Sequence, residues 1–375
     1  MESFLSTSKA VLSKLFNYKR IRIVLGNGTC DLDSAISTLI QAFSEYLDGI
    51  KNNEKDLAVI PLMNIPEKEY RLKTEVVFFM KRHSISSNLL IFRDQIDLKA
   101  LKENVEIKLE IVLVDHHNLP NEDMYLMESV IKIIDHRPQD KRWPWTGRKV
   151  YLENVGSCAT LVARNLFDKH PEVIDSQISS LLRGPILIDT YNLSKKVDRA
   201  TSMDIEIIEA LEKIGSLDLD RDKVFNEIFN AKSDISELTV DDLLIRDLKE
   251  TSGVPITVLP ILVKDFLDLQ GSLKSLENFV LSKNITIIIV MGLDLTSEKV
   301  FRDIAVFSLA TDQLKKKIIE ALLSAQPSLE LTLIKEINNK DENFNLVLYE
   351  QKNVRITRKQ ILPIIQNTIS SECQC

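Results

Sequence analysis

Up to about residue 205, the chain alternates short apolar runs with segments of helical periodicity. The apolar runs are nearly uninterrupted, as in strands covered on both faces of a parallel sheet: IRIVLG, LAVIPLMNI, LLIFRD, LEIVLVDHH and VIKIIDHR. Between the first two runs, apolar residues recur at helical spacing from Ile36 to Leu47, and Asp33 or Ser34 is the expected N-cap. The pattern predicts an α/β domain over residues 1–210, with a mostly parallel sheet flanked by helices.

A polar, weakly patterned stretch begins at Gly215 and predicts a domain boundary between about residues 205 and 225. Beyond it, further β-rich runs alternate with helical segments such as TDQLKKKIIEALL. We expect a second, smaller α/β domain with a mixed sheet over residues 222–375. A chain of 375 residues is long enough to form two such cores.

The composition argues against several classes of protein. A net charge of -7 does not favour nucleic-acid binding, which normally needs a clustered basic face. No apolar stretch reaches the roughly 18 residues that a membrane span requires. The four cysteines form no disulfide framework, which indicates a reducing compartment. We therefore expect a soluble cytoplasmic protein; the Ser, Lys and Arg content of the first 20 residues makes a mitochondrial location the alternative.

Polar residues follow several of the predicted strands, where the ligand crevice of an open parallel sheet lies. A further acid ends the run GPILIDTYN, which is either a strand or a helix. These polar residues are Asn27, Asp31, Asp33, Asp115, His116, His117, Asp135, His136, Arg137 and Asp189. A single acid at such a position is often a helix cap, and Asp33 is the most open to that interpretation. Several sites of this kind in one domain instead predict a functional cluster.

Mixed carboxylate and imidazole ligands suit Mg²⁺, Mn²⁺ or Co²⁺. Enough carboxylates are present to hold two divalent ions about 3.5 to 4 Å apart, an arrangement that supports in-line phosphoryl displacement. Cys30 and Cys158 belong to no metal or nucleophile motif and are predicted to be small buried residues. Trp143 and Trp145 lie in the basic stretch KRWPWTGRK, which we expect to be a surface loop, with a substrate lid or a partner-binding loop as alternatives.

The ordered motifs GNGTCDLDS, LVDHH, IDHRP, GSCATLVA and LIDT resemble those of the DHH phosphoesterase superfamily, in particular its Prune and eukaryotic exopolyphosphatase branch. LLIRDLKE and TRKQILPII resemble the Asp-x-Lys and Ser-Arg-Lys motifs of the DHHA2 domain in family II inorganic pyrophosphatases. The resemblance implies an N-terminal DHH domain with a metal site and a C-terminal DHHA2 domain with phosphate-binding cations. It also implies an active site in the cleft between them.

The resemblance implies two metal ions that share one bridging carboxylate. Asn27, Asp31 and Asp115 would surround one ion, and Asp33, Asp115, His136 and Asp189 would surround the other. Asn27 stands where the pyrophosphatases have a histidine. That replacement favours Mg²⁺ over Mn²⁺, because an amide oxygen or a water is a harder ligand than an imidazole.

Arg137 stands where the pyrophosphatases have a histidine that contacts the substrate phosphate. A guanidinium binds phosphate but does not readily give up its proton. The role of general acid would then pass to His117 or His116, of which we favour His117. Lys249, Arg358 and Lys359 resemble the cations that close over the substrate's phosphates.

Together these features predict a metal-dependent hydrolase of phosphoanhydride bonds, in which a metal-activated water attacks a terminal phosphorus. Short-chain polyphosphate, such as tri- or tetraphosphate, is the expected substrate, because the chain shows few cations for a long polymer. One alternative is a phosphodiesterase acting on cyclic AMP or another small phosphate ester. The other is a signalling adaptor that binds protein partners and has little catalytic activity. No nucleic-acid or membrane partner is expected.

Overall fold

The computed structural model describes residues 1–143, 145–216, 220–294, 300–309, 313–339 and 344–370. The chain forms two compact units, Met1–Lys232 and Ser233–Cys375. The division falls later than the predicted boundary because the helix Arg221–Ser233 belongs to the first unit, where Val224 and Ile228 join the hydrophobic core. No helix in these described ranges is long and apolar enough to cross a membrane.

The N-terminal unit is built around one parallel sheet. Its strands are β1 (Arg20–Leu25), β2 (Leu57–Met63), β3 (Ile91–Phe92), β4 (Lys108–Val114), β5 (Val130–Asp135) and β6 (Lys149–Leu152). Its helices are α1 (Glu2–Val11), α2 (Leu32–Lys51), α3 (Thr74–Arg82), α4 (Leu98–Glu103), α5 (Cys158–Lys169), α6 (Ser176–Asp189), α7 (Ser202–Gly215) and α8 (Arg221–Ser233). The strand order is β3-β2-β1-β4-β5-β6. Strands β2 and β3 therefore lie on one side of β1, and β4, β5 and β6 lie on its other side.

Each face of this sheet buries its own hydrophobic core. Val24, Val112 and Ile134 face the core shared with α2, α5 and α6, whereas Ile23 and Leu113 face the other side. Burial on both faces explains why the strands are nearly continuous apolar runs. The predicted mostly parallel sheet flanked by helices is confirmed.

Two local predictions need correction or completion. The N-cap of α2 is Asp31, whose side chain accepts a hydrogen bond from Ser34 N, so neither Asp33 nor Ser34 is the cap. Asp33 lies two residues further along, in the first turn of α2, where its side chain can reach other elements. The run GPILIDT is the end of α6, a helix that contains Pro185.

The C-terminal unit has a mixed sheet, as predicted. Its strands are β7 (Leu248–Thr251), β8 (Val254–Leu259), β9 (Ile287–Asp294), β10 (Phe301–Leu309), β11 (Leu331–Asn339) and β12 (Phe344–Gln351), in the order β11-β12-β10-β9-β8-β7. Strands β8 and β9 are parallel, and the other neighbours are antiparallel. Its helices are α9 (Val240–Arg246), α10 (Val263–Leu267), α11 (Ser272–Ser282), α12 (Gln313–Leu323) and α13 (Arg358–Ser370).

Candidate metal centre

Three of the predicted ligands meet beyond the carboxyl ends of the central strands. The ligand atoms of Asp33, Asp115 and His136 all lie within 4.8 Å of one another. His136 Nε2 is 3.4 Å from Asp115 Oδ1 and 4.0 Å from Asp33 Oδ2. Both carboxylates are buried and the imidazole is partly exposed. This donor set fits a divalent cation, since buried carboxylates so close together need a compensating positive charge.

The pKa values of the cluster show the same need for a cation. Burial, followed by repulsion from Asp33, raises the pKa of Asp115 to about 8. Burial and repulsion from Asp33 also raise the pKa of Asp189 well above its usual range, so Asp189 belongs to the same acidic cluster. Burial alone would lower the pKa of His136, but its hydrogen bond to Asp115 and the attraction of Asp33 raise it to about 10. These shifts have their origin in negative charge concentrated in a buried space, which a bound divalent cation would neutralise.

Asp33 has two roles at this site. Its carboxylate accepts hydrogen bonds from Cys158 N at 2.7 Å and Ala159 N at 2.8 Å, and so caps the N-terminus of α5. These bonds hold the side chain in place while Oδ2 remains within 4.0 Å of His136 Nε2. Asp33 therefore caps α5 rather than α2, and this cap leaves its carboxylate beside His136. Cys158 is buried, as predicted.

Asp115 is held in an unusual backbone conformation. Its φ is +60°, in the left-handed region that residues other than glycine rarely occupy. Such strain costs on the order of 1–3 kcal/mol and is commonly found at functional sites. Asn27 Nδ2 donates to the Asp115 carboxylate and, at 3.2 Å, to its main-chain oxygen, while Asn27 Oδ1 accepts from Thr29 N at 2.8 Å. In this arrangement Asn27 orients the central carboxylate.

The two adjacent histidines have different environments. Both ring nitrogens of His117 are engaged, because Nδ1 bonds to Asp135 and Nε2 accepts from Asp140 N at 3.0 Å. His116 bonds through Nδ1 to Val114 O at 2.9 Å, and its side chain lines the cavity beside the cluster. Burial lowers the pKa of His116 to about 4. His117, the favoured general acid, is therefore bonded within the protein at both ring nitrogens, and the choice between the two histidines stays a prediction.

Asp135 is a positioning residue that the sequence placed at a strand end but to which no role was assigned. It is fully buried, and its Oδ1 accepts from His136 N at 2.8 Å and Arg137 N at 3.3 Å. Its other oxygen bonds to His117. One carboxylate thus fixes the turn that presents His136 and Arg137. The available signal was an acid immediately before the His-Arg pair at a strand end, a position that favours bonds to the following backbone N–H groups.

A cavity of about 1110 Å³ adjoins the cluster within the N-terminal unit. Asn27, His116 and Arg137 line the end nearest the cluster, and Arg137 Nη2 lies 3.4 Å from Asp115 Oδ1. Trp143 lines the cavity wall and stacks on Trp145 with ring centroids 5.4 Å apart. Part of the predicted tryptophan loop therefore borders the site.

The predicted phosphate-binding cations lie in the C-terminal unit. Lys249 is exposed on β7, and Arg358 and Lys359 form the start of α13, where Lys359 is exposed. Arg358 Nη2 bonds to Asp247 Oδ1 at 2.6 Å. The fold thus joins the RDLK and TRK motifs, which are far apart in the sequence, within one unit.

Comparisons with known proteins agree with this arrangement. Residues 226–368 match the family model of the DHHA2 domain. The crystal structure of a Methanococcus jannaschii protein assigned to the family II inorganic pyrophosphatases superposes with a TM-score of 0.54 at 20% identity, covering 93% of this chain and 99% of that chain. That likeness concerns the fold.

Sequence relatives define the family more closely. Exopolyphosphatase PRUNE1 of Homo sapiens is 34% identical over 378 residues, which cover 99% of this chain and 80% of the relative. The Bos taurus protein of the same name is 36% identical with the same coverage. The chain is therefore a member of the DHH phosphoesterase superfamily with a C-terminal DHHA2 domain. Within that superfamily it belongs to the Prune exopolyphosphatase family.

Proposed function

We propose that this protein is a metal-dependent hydrolase that releases orthophosphate from short polyphosphates, chiefly tri- and tetraphosphate. The observation that carries the proposal is the buried cluster of Asp33, Asp115 and His136 with Arg137 beside it. The relatives named exopolyphosphatase PRUNE1 support the reaction class. A Methanothrix thermoacetophila relative, 25% identical over 73% of this chain and 82% of its own length, is named a manganese-dependent inorganic pyrophosphatase and supports a divalent cation as cofactor.

The acidic cluster is the proposed site for two divalent ions, Mg²⁺ or Mn²⁺, with Co²⁺ as a further candidate. Asp33, Asp115 and His136 would hold one ion together with Asp189, and Asp31 and Asp115 would hold the second beside Asn27. Bound divalent ions supply Lewis acidity and neutralise charge in phosphoryl transfer.

Side chains around the cluster would bind and orient the phosphates. The guanidinium of Arg137 is about half exposed and borders the cavity, so it can bind phosphate oxygens in a bidentate manner. His116 borders the same space through its ring. We expect Lys249, Arg358 and Lys359 to neutralise the phosphates distant from the attacked phosphorus. Signalling partners and a cytoplasmic location remain predictions.

The proposal is tested by orthophosphate release from pyrophosphate, triphosphate, tetraphosphate and long-chain polyphosphate, and by AMP formation from cyclic AMP, in the presence of Mg²⁺, Mn²⁺ or Co²⁺. Turnover of tri- and tetraphosphate that Asp115→Ala abolishes is the expected result. Asp140→Ala is the matched control, because that aspartate is paired with Arg142 on the surface and its main-chain N–H to His117 is retained. No metal-dependent turnover of any of these substrates would contradict the enzyme and favour the adaptor.

A phosphodiesterase activity is the second candidate, and the cavity supports it. Its volume exceeds what a terminal phosphate needs, and Leu119, Met124 and Trp143 give it an apolar wall. Aromatic side chains of this kind stack on nucleobases. If cyclic AMP is a substrate, Trp143→Ala should lower its kcat/KM about tenfold and leave triphosphate hydrolysis unchanged. An equal effect on both substrates would contradict base binding at this wall.

A further inference from the structure

A second group of cations follows the acidic cluster along the chain. Residues 194–199, Ser-Lys-Lys-Val-Asp-Arg, begin five positions after Asp189, and we call them the basic loop. Lys195, Lys196 and Arg199 are exposed, as is Asp198. The basic loop therefore places three cations and one acid on the surface close in sequence to a residue of the cluster.

The backbone before the basic loop is strained and firmly held. Tyr191, Asn192 and Leu193 are three consecutive residues with φ of 50°, 55° and 57°, a left-handed turn without glycine. Asn192 N donates to Leu187 O at 2.7 Å, and Leu193 N donates to Thr190 Oγ1 at 3.2 Å. A costly conformation persists only where surrounding contacts determine it, so this turn fixes where the chain leaves α6.

Both ends of the basic loop are tied to residues that neighbour the cluster. At its start, Ser194 N donates to Thr190 O at 3.2 Å, next to Asp189. At its end, Arg199 O lies 3.2 Å from the position that a Cβ on Gly156 would take. Gly156 begins the short segment that leads to Cys158 N, which bonds to Asp33. The basic loop is thus anchored at one end beside Asp189 and at the other beside the segment whose backbone binds Asp33.

The cations of the basic loop are available to a ligand. Among the residues that the structure describes, no carboxylate forms an ion pair with Lys195, Lys196 or Arg199, and the Arg199 guanidinium lies 5.2 Å from the centroid of the Tyr191 ring. Arg358, in contrast, is already paired with Asp247. Unpaired cations beside an acidic cluster are suited to an anion that also reaches the metal centre.

The cavity beside the cluster offers a less suitable path for a highly charged chain. Three acids, Glu69, Glu122 and Asp123, and three arginines, Arg93, Arg137 and Arg142, line it together with its apolar wall, so it offers no net positive charge to successive phosphates. The cavity borders the cluster at Asn27 and His116. The basic loop instead lies beside Asp189 and Gly156.

Building on the proposed function, we propose that the basic loop binds the phosphates of a linear polyphosphate that extend beyond the phosphate at the metal centre. It would thereby set the preference for chain length. Each lysine can form charge-assisted hydrogen bonds to phosphate oxygens, and the guanidinium can bind them in a bidentate manner. Pyrophosphate is too short to use these contacts fully, whereas tetraphosphate and longer chains would gain from them.

The test compares the full-length wild type with the double variant K195Q/K196Q. The matched control is K51Q/K55Q, which makes the same change in charge at exposed lysines near the end of α2. The first readout is kcat and KM for triphosphate and tetraphosphate with Mn²⁺. The second is calorimetric binding of triphosphate and a longer linear polyphosphate in the presence of a chelator, which needs no turnover and so remains informative if the proposed function fails.

We expect K195Q/K196Q to raise KM for tetraphosphate about tenfold, with a smaller effect on triphosphate and little effect on kcat. Binding of the longer chain should weaken by about the same factor, while K51Q/K55Q behaves as the wild type. Equal behaviour of the two double variants in both readouts would overturn the proposal. Lysine-dependent binding of a single-stranded oligonucleotide without binding of polyphosphate would also overturn it.

Discussion

At the scale of single residues, the site depends on one buried acid that would touch neither metal nor substrate. Asp135 accepts hydrogen bonds from the backbone of His136 and Arg137 and from the ring of His117. Replacing its carboxylate with an amide introduces an N–H group where these backbone donors converge. The turn that presents His136 would then lose its fixed position.

We therefore expect Asp135→Asn to weaken divalent-cation affinity about 10- to 100-fold, as is typical when a residue that orients a ligand is changed. Calorimetric titration with Mn²⁺ measures this directly. Asp140→Asn, a change at a partly exposed carboxylate that is paired with Arg142, should leave the affinity unchanged. Wild-type affinity in Asp135→Asn would show that the turn is held by other contacts.

Sequence reasoning identified the types of residue at the site more easily than their orientations. Asp115 and His136 could be grouped because the carboxyl ends of neighbouring parallel strands meet at one edge. His116 and His117 are adjacent, and which ring faces the cavity depends on bonds from Val114 O, Asp135 and Asp140 N. No sequence pattern encodes those bonds, and the choice between His117 and His116 as general acid stays a prediction.

At the scale of elements, α2 packs unusually close to the end of β1. A Cβ added to Gly26 would lie 2.6 Å from both Ser34 Oγ and Thr38 Oγ1, two hydroxyls on α2. Gly26→Ala must therefore displace the helix that carries Asp33. We expect a loss of about 2 kcal/mol in the free energy of unfolding, typical of overpacking.

Gly28→Ala is the control, because nothing lies within 4 Å of the corresponding Cβ position. Urea unfolding of the two variants, followed by circular dichroism, should separate them clearly. Equal stability of Gly26→Ala and Gly28→Ala would contradict the proposed close packing of β1 and α2.

A buried ionic network joins the sheet to α2. Arg22 on β1 contacts Glu110 on β4 at 2.7 Å and Glu45 on α2 at 2.8 Å, and Lys132 on β5 also pairs with Glu45. Burial alone would raise the pKa of Glu110, but its hydrogen bonds to Arg22 and Lys108 lower it to about 2.

This lowered pKa predicts how stability depends on pH. The pKa of Glu110 lies below the value of about 4.3 expected in the unfolded chain, so its ionised form stabilises the fold above that pH. The contribution, on the order of 2 kcal/mol, should be lost as the pH falls from about 4.5 towards 2. Urea midpoints between pH 7 and pH 3 measure it. The Glu110→Gln variant should show a flatter profile, and an unchanged profile would contradict the assignment.

Most helices and strands could be predicted from the spacing of apolar residues, and the elements that could not be predicted differ for physical reasons. Strand β6 (Lys149–Leu152) was not predicted because it is a short edge strand whose side chains are largely exposed, so it lacks an apolar pattern. The end of α6 was ambiguous because a short apolar run fits a strand or a helix equally well. The helix Arg221–Ser233 has a polar start, which suggested a boundary too early in the chain.

At the scale of the whole molecule, the residues proposed to bind metal and those proposed to bind phosphate belong to different units. The carboxylates and His136 belong to the N-terminal unit, and Lys249, Arg358 and Lys359 belong to the C-terminal unit. Lys359→Ala should therefore raise KM for triphosphate at least about tenfold without changing Mn²⁺ affinity, because it removes a phosphate contact and no metal ligand.

Steady-state kinetics and Mn²⁺ titration of the same Lys359→Ala preparation separate the two effects. Lys352→Ala, at another exposed lysine of the C-terminal unit, serves as the control. A parallel loss of cation affinity, or an unchanged KM, would contradict this division between the units. Arg358 is less suitable for the test because it also bonds to Asp247.

In the proposed function, the buried carboxylate cluster binds the divalent ions required for phosphoanhydride hydrolysis. The most direct measurement strips the protein with a chelator and follows orthophosphate release from triphosphate while Mn²⁺ or Mg²⁺ is titrated back, in the wild type and in Asp115→Ala. We expect no orthophosphate release by the stripped protein. Added Mn²⁺ or Mg²⁺ should restore full activity in the wild type and none in Asp115→Ala. Metal-independent release, or recovery in Asp115→Ala equal to that of the wild type, would contradict the proposed function.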